Sequence, residues 1–282
     1  MTVSITGKTK IFGLLGYPVS HTFSPPIQNV AFQANKIDAA YLPFEVHPDN
    51  LKSAIEGIRS LQFAGVNVTI PHKINVLPYL DEITPTAARI GAVNTIRNDR
   101  GKLLGTNTDG SGLLRSLSAL SFSPKDQTVV ILGAGGSTRS ILVAFAEKEA
   151  KRIFLVNRTW ANAQLLVEEY APLYPETEFK VESLENLFCQ AIDLLLNTTS
   201  VGMKKGESPV DLAKFESLER VADIIYSPQQ SSLLKQAEHL KIPYINGTGM
   251  LLFQGIEAFE FWTSQPAPIS LMEQKLLKLL NG

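Results

Sequence analysis

Short apolar runs recur along the whole chain, most of them followed by a stretch in which apolar residues return at helical spacing. In the first part the runs fall at Ile11 to Leu15, Tyr41 to Val46, Val66 to Thr69, Val93 to Arg97 and Lys102 to Thr106. Runs of this length, bounded by glycine, proline or asparagine, predict strands. Helical patterns separate the earlier ones, which predicts parallel pairing. Asn98-Asp-Arg-Gly101 is turn chemistry, so the last two should form an antiparallel hairpin. The pattern is helical again from Gly110 to Leu120, and Ser121-Phe-Ser-Pro-Lys-Asp126 reads as a linker. Beyond it, strands starting at Thr128, Arg152, Glu178, Leu194, Val221 and Ile242 alternate with helices, the rhythm of a doubly wound parallel sheet. Helices follow from Met250 to Trp262 and from Ser270 onward. The expected fold class is α/β, with a mixed N-terminal domain over 1–108, a Rossmann-type domain over 109–246, and C-terminal helices over 247–282 that pack back on the first domain.

Composition narrows the class. A chain of 282 residues that is 44% hydrophobic can bury two cores. Its formal charge of -1 argues against a polyanion-binding surface, so the expected partner is a small molecule and not nucleic acid. No stretch approaches the length of a membrane span and the first residues lack a signal-peptide core, so no membrane association and a cytoplasmic location are expected. Cys189 is the single cysteine. It sits between Phe188 and Ala191-Ile192, which predicts a small buried thiol without chemistry. The four histidines do not cluster, so no metal site is expected. His21 and His72 read as turn-stabilising, His47 and His239 as surface residues.

The apolar run Thr128-Val-Val-Ile-Leu132 opens into Gly133-Ala134-Gly135-Gly136-Ser137-Thr138-Arg139. A buried strand that turns through glycines into a helix presents N-terminal amides to an anion. The next strand, Arg152 to Val156, ends in Asn157-Arg158-Thr159, where a fold that takes NAD places an acid on the ribose 2′-hydroxyl. Arg158 stands there instead. A guanidinium pairs with a 2′-phosphate, which predicts NADP(H) as the cofactor. Thr138 occupies the place of the third glycine, so helix and strand should pack less closely. No Gly-Lys-Ser/Thr closes the glycine run, which excludes a P-loop.

Four further segments are dense in small polar groups. Pro18-Val-Ser-His-Thr-Phe-Ser-Pro25 carries Thr22 and Ser24 ahead of a helix beginning at Pro25 or Pro26, where Ser24 would also serve as a helix cap. Asn67-Val-Thr-Ile-Pro-His-Lys73 puts Asn67, Thr69 and Lys73 at the carboxyl end of a strand, the ligand side of open α/β sheets. Gly91-Ala-Val-Asn-Thr95 and Gly105-Thr-Asn-Thr-Asp-Gly110 add amides, hydroxyls and one carboxylate. Lys73 and Asp109 can act together only if the fold brings two strand ends to one place; otherwise they are a surface lysine and a turn aspartate.

In these segments the chain strongly resembles the shikimate dehydrogenase family, over nearly its whole length. The resemblance rests on the Pro18 to Pro25 turn, Asn67 to Lys73, Gly91 to Thr95, Asn107-Thr-Asp-Gly110 and Gly133 to Gly136. It continues through Asn157 to Thr159, Asn197-Thr-Thr-Ser-Val-Gly-Met203, Asp223-Ile-Ile-Tyr-Ser-Pro228 and Gly249-Met-Leu-Leu-Phe-Gln254. It implies NADPH-dependent reduction of the ring ketone of 3-dehydroshikimate to shikimate, in chorismate and aromatic amino-acid biosynthesis. The first domain then binds substrate and the second NADP. Lys73 and Asp109 take the catalytic positions. The family's substrate contacts map onto Thr22, Ser24, Thr69, Asn94, Tyr226 and Gln254 together with that pair. Its cofactor contacts map onto Gly133, Ala134, Gly135, Gly136, Ser137, Asn157, Arg158, Thr159, Ile224 and Gly247, with Met250 beside the nicotinamide. A monomer or homodimer is expected.

The chemistry agrees with that map. Shikimate has one carboxylate and three hydroxyls, so neutral groups suit it: Thr22, Ser24 and Tyr226 for the carboxylate, Asn94, Asp109 and Gln254 for hydroxyls. Negative charge grows on the carbonyl oxygen as hydride arrives, and an ammonium at Lys73 would stabilise it and deliver the proton, with Asp109 orienting the lysine. Three departures from the family pattern stand out: Thr22 replaces a serine, Gln28 a histidine, and Asn162 stands where a second base is common. The rival readings are a quinate or dual-substrate dehydrogenase and a non-catalytic ligand sensor; retention of Lys73 and Asp109 counts against the sensor.

Overall fold

The computed structural model describes residues 5–204 and 206–280. The chain forms two compact units, one running to Thr108 and resuming at Leu252, the other spanning Asp109–Leu251. In the first unit the strands are β1 (Lys10–Gly16), β2 (Ala39–Glu45), β3 (Gly65–Val68), β4 (Glu82–Ile83), β5 (Thr95–Asp99) and β6 (Lys102–Thr106). They lie in the order β2-β1-β3-β5-β6-β4. β1 runs parallel to β2 and β3, while β5 is antiparallel to both β3 and β6, so the hairpin reads as its turn chemistry predicts. The helices are α1 (Ser24–Ala34), α2 (Leu51–Ser60) and α3 (Pro85–Ile90). α2 buries Leu51, Ile55 and Ile58, a helical stripe that joins Val66, Val68, Ile96 and Leu103 in one core. β4 has no counterpart in the sequence reading, because its two residues are both exposed and leave no alternation to detect.

The second unit opens with α4 (Asp109–Leu117), followed by β7 (Thr128–Leu132), α5 (Gly136–Ala146), β8 (Arg152–Val156), α6 (Trp160–Tyr170) and β9 (Glu178–Val181). It continues with β10 (Ala191–Ile192), β11 (Leu194–Asn197), β12 (Ser217–Leu218), β13 (Val221–Asp223), α7 (Ser232–His239) and β14 (Tyr244–Ile245). Six of these strands form one parallel sheet in the order β14-β13-β11-β7-β8-β9; β10 and β12 pair separately. This is the doubly wound order, reversing at β7 and β11. Two expectations need correction. Among the described residues the crossovers on either side of β11 contain no α-helix, only the 3-10 turns Glu185–Leu187 and Leu212–Lys214; the first is short, and in the second Gly202, Gly206 and Pro209 break any helical run. Ser121–Asp126 is not a boundary: it lies inside the second unit, where Phe122 is buried against Phe145 at 6.3 Å.

The last helices are α8 (Thr248–Thr263) and α9 (Ile269–Leu280). From Leu252 onward they belong to the first unit. Trp262 donates Nε1–H to the carbonyl of Ile96 at 2.9 Å, and its ring meets that of Phe12 at 5.2 Å, while α9 packs on α1. Cys189 corrects a third expectation. Its neighbour Phe188 turns in to meet Phe215 edge-on at 5.1 Å, which leaves the thiol exposed. Among the described residues no helix is long and apolar enough to cross a membrane, and no group of three or more His, Cys, Asp or Glu could hold a metal ion.

Candidate active site

Strand register decides what the first unit brings together. Leu15 sits opposite Val68, Asn67 opposite Thr95, and Thr95 opposite Thr106. The carboxyl ends of β1, β3 and β6 and the amino end of β5 therefore share one edge of the sheet. The segments containing Thr69, Asn94 and Thr108 all leave from this edge, laced by Thr69 N–H to Leu15 O (2.8 Å), Val68 N–H to Asn94 O (2.8 Å) and Asn94 N–H to Thr106 O (3.1 Å).

Beneath that edge runs a chain of neutral side chains whose hydrogens are all assigned by chemistry. Asn67 donates Nδ2 to Asn94 O at 3.1 Å and to Thr95 Oγ1 at 3.0 Å, so its Oδ1 faces Tyr41 and must accept the phenol hydrogen, at 2.8 Å. Thr95 then donates to Asn94 Oδ1 at 2.9 Å, Asn94 Nδ2 to Thr108 Oγ1 at 3.0 Å, and Thr108 Oγ1 to the carbonyl of Gln254 at 3.1 Å. Burial drives the Tyr41 phenol far up, an effect that Ser24, beside it, only partly offsets. Tyr41, Asn94 and Gln254, far apart in sequence, are thus the ends and the middle of one network, with Ser24 beside its Tyr41 end.

Ser24 opens α1 without capping it: Phe23 is the N-cap, and no side chain caps the helix. Prolines at the start of α1 leave fewer amides to cap, so the serine hydroxyl is available for Tyr41. Thr22 Oγ1 accepts from Ser24 N–H at 3.2 Å, which fixes the pair as one turn; both residues are half-buried. Lys73 is half-buried too, and its carbonyl accepts from Val93 N–H at 2.8 Å. The residue before it is locked. His72 is fully buried and its Nε2 donates to the carbonyl of Val46 at 2.7 Å, while Val46 N–H bonds to Gly16 O at 2.9 Å. His72 therefore ties the turns after β1, β2 and β3, the turn-stabilising role expected from sequence. His21, His47 and His239 are exposed.

Asp109, buried at 4% exposure, begins α4 and so falls in the second unit, immediately after Thr108. At the carboxyl edge of that unit's sheet, Gly133 has a φ of +115, a value that side-chain-bearing residues rarely adopt. Gly135 faces open space where a Cβ would project, so backbone amides there can meet a ligand. Gly133 N–H bonds to Val156 O at 2.8 Å, which sets the glycine turn beside Asn157, Arg158 and Thr159. Asn157 braces that turn through Nδ2 to Thr159 O at 2.7 Å, with Arg158 exposed at its tip. Ala134 and Ser137 flank the open face, and both are half-buried. A neighbouring turn carries Ile224 and Tyr226. Gly247 is packed directly against Ile224, its N–H on Ile225 O at 3.0 Å, and Met250 is buried in the first turn of α8. Burial also pushes the Tyr226 phenol up.

Three family models match this chain. A shikimate dehydrogenase substrate-binding domain covers residues 14–96, a shikimate/quinate 5-dehydrogenase region 116–203, and a shikimate 5′-dehydrogenase C-terminal domain 247–277. A shikimate dehydrogenase (NADP(+)) of Methanothermobacter thermautotrophicus is 43% identical over 98% of this chain and 99% of its own. The chain belongs to the shikimate dehydrogenase family. A shikimate dehydrogenase crystallised with NADP+ superposes with a TM-score of 0.89 at 38% identity, covering 98% of both chains. The same architecture extends to a 5-ketofructose reductase of Gluconobacter, with a TM-score of 0.85 at 32% identity over 97% of this chain and all of that one.

Against that background, several residues escaped the sequence reading. Tyr41 looked like one more apolar position of β2, Thr95 a strand residue, and Thr138 only an absent glycine. Asp223 opened a quoted motif but was given no role, although it is 2% exposed and accepts from Ser231 Oγ (2.6 Å), Asn197 Nδ2 (3.0 Å) and Ile225 N–H (3.1 Å). A polar residue flanked by apolar ones at a strand end was the available signal.

Proposed function

We propose that this chain reduces the ring ketone of 3-dehydroshikimate to shikimate with NADPH, and runs the reverse reaction, in aromatic amino-acid biosynthesis. The observation that supports it most is the directed network from Tyr41 to Gln254, with Ser24 beside its Tyr41 end, because it serves several separate sequence motifs at one sheet edge. A polyhydroxylated ring acid needs such fixed, neutral donors and acceptors. Thr22 and Ser24, with Tyr226, take the carboxylate; Thr69, Asn94 and Gln254, with Asp109, read the hydroxyls.

The glycine turn fits the cofactor, since open space lies over Gly135 at the start of α5. Gly133, Ala134, Gly135, Gly136 and Ser137 hold the pyrophosphate, Asn157, Arg158 and Thr159 the adenosine side, and Ile224, Gly247 and Met250 the nicotinamide. Bound NADPH supplies the hydride. Lys73 stabilises the negative charge that develops on the carbonyl oxygen and delivers a proton there, with its turn held by His72. Asp109 orients the lysine and a substrate hydroxyl. Residues 1–108 with the C-terminal helices form the substrate domain, 109–246 the cofactor domain. The chain works in the cytoplasm as a monomer or homodimer, with no nucleic-acid or membrane partner.

The relative that reduces 5-ketofructose favours testing a second substrate class, and Thr22, with its extra methyl, bears on quinate. Initial rates should be measured with shikimate and with quinate against NADP and NAD, alongside NADPH-dependent reduction of 5-ketofructose. Shikimate with NADP should give the highest kcat/KM. A higher value for quinate, for 5-ketofructose or with NAD would overturn the corresponding part of the proposal.

A further inference from the structure

Thr138 does more than fill a glycine's place. It is fully buried in the first turn of α5, and its Oγ1 accepts from Gly135 N–H at 3.1 Å and lies 2.9 Å from Thr198 Oγ1. Thr198 Oγ1 reaches the carbonyl of Leu132 at 2.7 Å. An amide can only donate and a carbonyl only accept, so the two ends fix the direction of the whole relay. Gly135 N–H donates to Thr138, Thr138 to Thr198, and Thr198 to Leu132 O. Each hydroxyl gives its one hydrogen and receives one.

Leu132 ends β7 directly before the glycine turn, and Thr198 follows β11, the neighbouring strand. Thr198 N–H also bonds to Leu132 O at 2.9 Å, and its Oγ1 stands 2.5 Å from where a Cβ on Gly133 would lie. Both ends of the turn are therefore clasped to β11. Gly135 N–H is held inward by Thr138.

We infer that Thr138 and Thr198 are positioning residues for the cofactor: their hydroxyl clasp sets the shape of the pyrophosphate turn. The inference rests on the NADP(H) reading of that turn. A glycine at 138 would allow helix and strand to approach but could not supply the relay. The hydroxyl, not the methyl, carries the effect.

The test uses the intact chain and NADPH, with binding followed by the cofactor's own fluorescence and with separate KM values for NADP and shikimate. Losing one hydrogen bond of such a relay typically forfeits up to about tenfold, so Thr138→Val and Thr198→Val should each raise the NADPH Kd by a factor of that order. The KM for shikimate should stay within about twofold, and Thr138→Ser should restore binding. One relay can be broken only once, so the double variant should bind about as weakly as the weaker single one. Unchanged Kd in both valine variants, a serine variant as weak as the valine, or losses that multiply would overturn the clasp. Should Thr138→Val fail to fold, Thr198→Val carries the same test. If the parent chain itself does not bind NADPH, the reading of the turn fails, and the clasp is judged by amide exchange at Gly135: faster exchange in the valine variants supports it, unchanged exchange refutes it.

Discussion

Replacing Tyr41 with phenylalanine removes a single oxygen from one end of the substrate-side network. Tyr41 is fully buried, and Asn67 Oδ1 accepts from it at 2.8 Å. The Asn67 amide cannot turn over to compensate, because its Nδ2 is held by Asn94 O and Thr95 Oγ1. The variant therefore strands a buried carbonyl oxygen and removes the hydroxyl beside Ser24, without opening a cavity that carbon atoms would notice. An orphaned buried acceptor costs about 1–3 kcal/mol, and relief from burying the phenol oxygen returns part of it, so the net loss should be about 1–2 kcal/mol. For a unit of this size that lowers the melting temperature by about 3–7 °C.

Scanning calorimetry of the ligand-free chain reads the stability change. The functional arm is sharper: with the network beside Ser24 cut, the KM for shikimate should rise about three- to tenfold while the KM for NADP stays put. A melting temperature within about 1 °C of the parent's, with an unchanged shikimate KM, would refute the assignment of that hydrogen bond. Equal rises in both KM values would place the effect in general folding instead of the substrate face.

Three further outcomes follow from particular side chains. Lys73→Ala should cut turnover by about 10²–10⁴, with a much smaller change in shikimate binding, and near-normal initial rates would remove the lysine from proton transfer. Arg158→Ala should raise the KM for NADP far more than that for NAD, since the guanidinium is exposed at the tip of the turn after β8; equal effects in parallel titrations would sink its role. Glu182 is held down from the usual 4.5 to about 2 by Lys180, Asn186 and the Ser183 amide. A depressed carboxylate adds stability that is present above about 4.5 and drains away as pH falls toward 2, so Glu182→Gln should flatten the acid limb of a stability-against-pH curve. An unaltered acid limb would show that the contact is inert.

Strand periodicity was legible wherever a run was buried on a regular rhythm, as in β7 and β8, and the glycine turn with Arg158 announced the nucleotide side from local sequence alone. Where the chain lacked rhythm, reading failed. The crossover after β11 is too broken by glycine and proline for helix, the one before it is short, and β4 is too short to alternate. The side-chain network was out of reach for a different reason. Tyr41 meets Asn67 only because β1 lies between β2 and β3, so the pair depends on sheet order and not on spacing along the chain. Thr138 shows the same limit. A hydroxyl in a glycine's place reads as a defect until the partner across the sheet, Thr198, is known.

Both units meet one physical problem at the carboxyl edges of their parallel strands. There the backbone leaves the sheet while still carrying amides and carbonyls that need partners, and a ligand must find the same surface rigid. Tyr41, Asn67, Thr95, Asn94 and Thr108 meet the problem in the first unit, and Thr138 with Thr198 in the second, all with neutral groups. Ion pairs could brace the loops as firmly, but their charges would act on the substrate carboxylate and the cofactor phosphates over several ångströms. Neutral bonds act only at contact. Nor does such a scaffold lose its hydrogens in the working range of pH, since amides and aliphatic hydroxyls do not titrate there and burial drives the Tyr41 phenol upward. In the proposed function the charged side chains Lys73, Asp109 and Arg158 are thereby left for chemistry and recognition, while the geometry within each unit is fixed by groups whose protonation does not change.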